Sequence, residues 1–163
     1  MALGFLYGAG GGGQPEPQDF NLIPDLVINP WTNGGSGAYT GSSQSFPNNT
    51  IYTHVQIQAT NTGSYYQWAS TPITASKYKK LIVSNSVVTG GSNPGGFTSY
   101  IDVYVNNTLL TSISGSHTKY EVNLPSSMAT ISVNIRTTMA GSGGTWPYCD
   151  NTITELTLTN GGN

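Results

Sequence analysis

The chain has 163 residues, enough for one well-buried domain and too few for two comfortable ones. Only 7% of its residues are charged and its net charge is −2, against about a quarter charged in an ordinary soluble protein. A surface built from Thr, Ser, Asn, Gln, Tyr and Gly cannot neutralise a run of phosphates or steer to an anionic membrane, so the composition argues against nucleic acid and membrane as partners; it suits a protein held in an assembly or working outside the cell.

The chain opens with a short apolar patch, Ala2 to Tyr7, followed by Gly8, Gly10 to Gly13 and the alternating Pro15 and Pro17. Glycine gives flexibility and the prolines stiffen the exit. Residues 1–18 therefore read as an attachment arm, in which Leu3, Phe5, Leu6 and Tyr7 dock on a partner while the glycines let the body swing. The start MALGFLYG lacks a basic n-region and its apolar run is too short for a signal peptide. A protein of this kind working outside a cell would arrive by a route other than ordinary secretion, such as release within a phage particle.

Residues 19–163 read as one domain. Residues 20–28 (FNLIPDLVI) are apolar but interrupted by Pro24, which predicts an edge strand or a strand with a break. Residues 31–45 are rich in Gly and Ser and read as a loop. Residues 51–59 alternate, with Ile51, Val55, Ile57 and Ala59 to one side and Tyr52, His54, Gln56 and Gln58 to the other. Residues 64–69 (SYYQWA) are a short aromatic strand or loop edge, and 78–88 a strand with Leu81 and Val83 inward and Ile82 on a partly covered outer face.

Residues 99–113 (SYIDVYVNNTLLTSI) organise the chain. Ile101, Val103 and Val105 alternate with Tyr100, Asp102 and Tyr104, so an aliphatic row faces a core and a polar row faces water. Asn106 and Asn107 supply the left-handed centres of a type I′ turn, after which Leu109, Thr111 and Ile113 resume the inward row. Such a hairpin is unstable alone, so other strands must cover it. Tyr120, Val122 and Leu124 form the next inward row, and Ile131, Val133 and Ile135 the one after. Residues 139–147 are a Gly-rich loop ending in Trp146 and Pro147. In the last strand, residues 151–159, Leu156 and Leu158 share a face while Ile153 is out of phase, which predicts a bulge near Thr154. No segment carries a helical period, and about eight short strands separated by turn signals predict an all-β sandwich or barrel. The lone cysteine, Cys149, forms no intrachain disulfide and reads as a small buried residue.

Tyr78-Lys79-Lys80-Leu81 opening a strand, the hairpin at 103–109, and the strands at 120–124, 131–135 and 151–158 resemble jelly-roll β-sandwiches in tail-fibre and other virion proteins of phages infecting Gram-positive bacteria. Carbohydrate-binding modules share that architecture. The stretch Asn21-Leu22-Ile23-Pro24 before a Gly/Ser loop is similar to segments of such tail proteins. The resemblance implies a jelly roll of about eight strands in a virion protein that adheres to cell-surface glycan or decorates the particle. It supplies no catalytic residue.

Sugars present flat patches of C–H that stack on Trp and Tyr, with polar neighbours reading the hydroxyls. Two clusters fit: Tyr65, Tyr66 and Trp68 around Gln67, and Trp146 and Tyr148 with Asp150 and Asn151; Trp31 and Tyr39 form a weaker third. The same rings could instead close the ends of the core. Among carboxylates, Asp102 and Glu121 read as solvated charges on outward strand faces, which argues against a glycosidase pair. Asp150 or Glu155 could help hold a structural Ca²⁺, but oxygen ligands cannot be counted from sequence, and no cofactor is expected. His54 and His117 lack metal-ligand spacing and read as surface residues, and neither a nucleophile elbow nor a phosphate-binding loop is present. The expectation is a non-enzymatic virion protein, bound through its first residues to other virion proteins and presenting a glycan- or receptor-binding sandwich. The alternative is a head or tail decoration protein whose aromatics contact other subunits. Sheet edges and the arm both invite homo-oligomers.

Overall fold

The structure, a computed structural model, describes residues 18–28, 38–45, 50–57, 63–70, 72–91, 96–139 and 147–161, with backbone alone for 25–28, 38–45, 57 and 63–70. Its strands are β1 (Phe20–Asn21), β2 (Leu26–Ile28), β3 (Ala38–Ser45), β4 (Thr50–Ile57), β5 (Gly63–Ser70), β6 (Ile73–Thr74), β7 (Lys80–Gly90), β8 (Phe97–Val105), β9 (Thr108–Ser114), β10 (His117–Asn123), β11 (Thr130–Met139) and β12 (Tyr148–Thr159). They form two antiparallel sheets. Sheet A runs β10-β7-β12-β4-β3, with β1 on β12; sheet B runs β2-β5-β11-β8-β9, with β6 on β11. The central eight strands fall in the order β4-β12-β7-β10 and β5-β11-β8-β9. Counted along the chain, that is 1-8-3-6 facing 2-7-4-5, the jelly-roll order, so of the sandwich or barrel that the strand pattern allowed, the observed fold is the jelly-roll sandwich that the resemblance implied.

Alternation sets the core. Every second residue of β11, from Ile131 to Met139, is buried, and so are Leu81, Val83 and Asn85 on β7. The principal apolar cluster draws on both sheets, with Ile51, Leu81, Val83 and Leu156 from one and Ile101, Val103, Val133 and Ile135 from the other. Fully burying each such side chain contributes about 1.5–3 kcal/mol. A second cluster of Val55 and Met139, with Phe97 against it, lies apart. Between the clusters runs a polar band: Asn85 Nδ2 donates to Asn151 Oδ1 at 3.1 Å, and Asn151 Nδ2 donates to Ser99 Oγ at 2.9 Å.

Several expectations are met in detail. Pro24 sits in a single 3-10 turn, Ile23–Asp25, that breaks the first apolar run and carries the chain from sheet A to sheet B. Asn106 and Asn107 have φ of 50° and 64°, both left-handed as a type I′ turn requires. The pairing of β12 with β7 shifts between Ile153 and Glu155, which leaves Thr154 as the bulged residue and keeps Ile153, Leu156 and Leu158 all in the core.

Other expectations fail for identifiable reasons. The stretch read as a Gly/Ser loop contains β3, whose backbone pairs with β4 over its whole length. Its side chains carry no apolar alternation, so its strand character comes from the partner edge. Leu109 does not share the face of Ile113 but is 49% exposed. The register shifts between Val103, paired with Thr111, and Tyr104, paired with Leu109, so Leu110 is the extra residue and Leu109 falls on the outer face. Tyr120 keeps the inward phase opposite Val83 but is 40% exposed, because β10 is the sheet's edge strand and the ring packs edge-on against His117 instead. Asp102 is buried rather than solvated. Of the four edge strands among the described residues, β9 and β10 each have an irregular register with their neighbour, a feature that blunts edge-to-edge pairing. Residues 1–17, with Leu3, Phe5, Leu6 and Tyr7, lie outside the described residues, as do Trp31, Ala59 and Trp146.

Candidate functional site

The outer face of sheet A, where β4, β12 and β7 lie side by side, carries the candidate site. Antiparallel pairing places Tyr148 between Gln56 and Gly90, Asp150 between His54 and Val88, and Thr152 between Tyr52 and Ser86. Residues paired in this way share a face. The intervening Cys149, Asn151 and Ile153 point into the core. Of the Trp146 cluster, Tyr148 and Asp150 therefore belong to the surface, while Asn151 belongs to the internal polar band and also accepts at its carbonyl from Thr53 Oγ1 at 3.3 Å.

Gly90 explains the pose of Tyr148. A Cβ at Gly90 would stand 2.3 Å from the Cζ and the hydroxyl of Tyr148, so the ring lies across the backbone of β7 where only glycine leaves room. The His54 ring sits 5.7 Å from the Tyr148 ring, tilted by 30°. His54 Nδ1 lies 2.6 Å from Asp150 Oδ1, with both side chains about one-fifth exposed. Tyr52 donates its hydroxyl to Asp150 as well. Burial, then this hydrogen bond and the carboxylate's negative charge, push its phenol up to about 12, so Tyr52 remains a donor at physiological pH. Val88, 52% exposed, adds an apolar shoulder beside Asp150. On the far side, β3 pairs Gly41 with His54 and Tyr39 with Gln56. The result is an aromatic ring laid flat on a sheet, beside a carboxylate oriented by an imidazole and a phenol. That set can stack on a sugar ring and read its hydroxyls.

The second sequence-stretch of aromatics is elsewhere. Tyr65, Tyr66 and Trp68 belong to β5 of sheet B, where they pair with Thr137, Arg136 and Ile135. The backbone of these three residues thus lies in a different sheet from Tyr148 and Asp150. His54, read from sequence as a surface residue, lies on this outer face and is also a partner of Asp150, and neither Tyr52 nor Gly90 was identifiable as part of a site. The only local sign was the place of Tyr52 and His54 on the outward row of β4; the His54–Asp150 pairing joins residues 96 positions apart.

The remaining carboxylates are engaged separately. Asp102 is held by Arg136 on sheet B, at 2.6 Å from Nε and 3.0 Å from Nη2. Glu121 bridges Lys80 at 2.7 Å and Lys119 at 3.4 Å, and its carboxyl is held below the usual range, chiefly by the Lys80 hydrogen bond and charge. Glu155 lies 2.8 Å from Ser84 Oγ. Among the described residues, no group of three or more His, Cys, Asp or Glu is placed to hold a metal ion. Cys149 is buried as expected; burial, then the Asp150 charge, push its thiol up to about 12.

No protein-family model matches the sequence, and no curated protein matches it. Among solved structures, the chain is similar to the carbohydrate-binding module CBM51 of Clostridium perfringens in complex with methyl-galactose, at 13% identity and a TM-score of 0.39, over 87% of this chain and 100% of that one. It is similar to the module TmCBM61 in complex with β-1,4-galactotriose, at 10% identity and a TM-score of 0.42, over 85% and 92%. It also overlaps the accessory secretory protein complex of Streptococcus pneumoniae, at 10% identity and a TM-score of 0.37, over 82% and 95%. At such identity and overlap, the jelly-roll assignment rests on the strand order of this chain itself.

Proposed function

We propose that this protein is a non-catalytic glycan-binding sandwich of a phage particle, which adheres to a host-surface glycan through Tyr148, Asp150, His54 and Tyr52. The observation that carries the reading is the Tyr148 ring laid over Gly90 beside the His54–Asp150–Tyr52 group. A sugar ring stacks on Tyr148 and directs its hydroxyls toward Asp150. Binding without catalysis is supported by the placement of the acids: Asp150 and Asp102 sit on different sheets, each already committed to a basic partner. The virion setting is supported by the sparsely charged composition and by the apolar Ala2 to Tyr7 stretch, through which the protein would join other virion proteins.

The test is binding of the full chain to cells of Gram-positive bacteria and to their isolated wall polysaccharides. Tyr148→Ala is expected to weaken saturable binding at least tenfold, equivalent to about 1.4 kcal/mol. Gly90→Ala is expected to do nearly the same without unfolding the protein, since the nearest atoms its Cβ meets belong to the Tyr148 side chain, whose ring swings away as a whole, and not to backbone. Binding untouched by both variants refutes this site, and no binding across a broad panel favours the decoration role.

A further inference from the structure

The outer face of sheet B contains an ion pair that is out of place for a solvent-facing sheet. Asp102 occupies an outward position of β8, yet it is 2% exposed. It accepts from Arg136 Nε and Nη2 and from Ser112 Oγ at 2.6 Å. The Arg136 guanidinium in turn lies over the Tyr100 ring, 4.2 Å from its centroid. One edge of the guanidinium is clamped by a carboxylate and one face rests on a ring, so its plane is fixed before any ligand arrives. A buried pair of this sort gives little net stability over apolar residues of similar volume. What it gives here is a guanidinium held in one orientation with its charge neutralised.

The neighbouring outward positions continue that character. Thr98 and Tyr104 on β8, and Ser132, Asn134 and Thr138 on β11, are all half-buried, and none is aliphatic. From Tyr100 to Tyr104 the strand runs about 13 Å, longer than one sugar ring. On the other flank, β5 places Tyr66 in register with Arg136. We infer that this face is a second binding surface, for a neutral glycan chain, on the side of the sandwich opposite Tyr148. The occupant follows from the chemistry. A nucleic acid or polyanion needs net positive charge, and Asp102 cancels that of Arg136. A protein partner needs an apolar centre to its interface; here the central strands β8 and β11 carry hydroxyls, amides and phenols, and the exposed Leu109 beside Tyr104 stands on the edge strand β9. Rings with hydroxyl and amide neighbours suit a neutral polysaccharide. With two such faces, one copy of the chain can bridge two glycan chains.

This inference rests on the glycan reading of the protein, and the experiment separates the two. The full chain, labelled for NMR, is titrated with β-1,4-glucan hexaose, with β-1,4-galactan hexaose and with a polygalacturonate hexamer as the anionic control. The expected result is saturable shifts at Tyr100, Tyr104 and Asn134 with a neutral hexaose. Those shifts persist in Tyr148→Ala and weaken at least tenfold in Tyr104→Ala, and the anionic hexamer binds there more weakly. Shifts confined to Tyr148, His54 and Val88 overturn the second face and leave the first intact. Shifts confined to sheet B overturn the sheet A site and the two-face arrangement together. Preference for the uronic polymer overturns the neutral-ligand assignment, and no shift with any probe overturns both readings.

Discussion

Replacing Arg136 with Met strands the Asp102 carboxylate where almost no water reaches it. In the native protein that carboxylate is 2% exposed and has three donor contacts, two from Arg136 and one from Ser112. Arg136→Met removes two of the three and keeps most of the aliphatic stem packing. Removing one partner of a buried pair costs about 3–5 kcal/mol, because the remaining charge keeps its desolvation penalty. The Arg136 side chain is 18% exposed, so the lower end applies, about 3 kcal/mol, and loss of the Tyr100 stack adds less than about 1 kcal/mol. Urea denaturation at pH 7 reads this directly as a lower midpoint at unchanged slope. In a thermal melt it appears as a drop of about 6–12 °C for a chain of this size. The second half of the test is Asp102→Leu with Arg136→Met, which removes both charges and is expected to return to within about 1 kcal/mol of the wild type. A single variant that costs less than about 1 kcal/mol, or a double variant as unstable as the single one, refutes the claim that the pair is desolvated.

Two further outcomes follow from geometry elsewhere. Asn106 and Asn107 share the left-handed turn, but only Asn106 is also tied down, its Oδ1 accepting from the backbone N–H of Ala129 at 2.9 Å and Thr130 at 3.1 Å. Asn106→Gly is therefore expected to destabilise by about 1–2 kcal/mol, while Asn107→Gly is neutral or stabilises by up to about 1 kcal/mol; equal effects in urea titrations refute the asymmetry. Cys149, buried with its thiol pushed up to about 12, is expected to resist iodoacetamide at pH 8 until urea unfolds the chain. The raised folded value means the native state holds the thiol proton longer than the unfolded state does. Stability is thus unaffected by this group below pH about 9 and falls as pH rises from there toward about 12; a Cys149→Ala variant with the same alkaline loss refutes that assignment.

The outward and inward rows of most strands were legible in the sequence because side-chain alternation is a local property of an extended backbone. Ile131, Val133 and Ile135 could be assigned to the core from spacing alone, and the phase break between Ile153 and Leu156 located the bulge at Thr154 before any partner strand was known. Pro24 and the Asn106–Asn107 pair announced a break and a turn through their own backbone preferences. Strand β3 was not legible, since a polar, Gly-containing segment becomes a strand by pairing with β4 and not by its own pattern. The bulge at Leu110 was equally hidden, and it reversed the face of Leu109. The candidate site was half legible. Tyr148 and Asp150 stood out as an aromatic and an acid on one row, but His54 joins them only because β4 lies beside β12 in one register. The same holds for Asp102, whose charge looked solvated until Arg136, 34 residues away, was brought over it. Alternation tells each strand which side chains share a face; only the order and register of the sheets decide which strands share it, and in a jelly roll those neighbours come from distant parts of the chain.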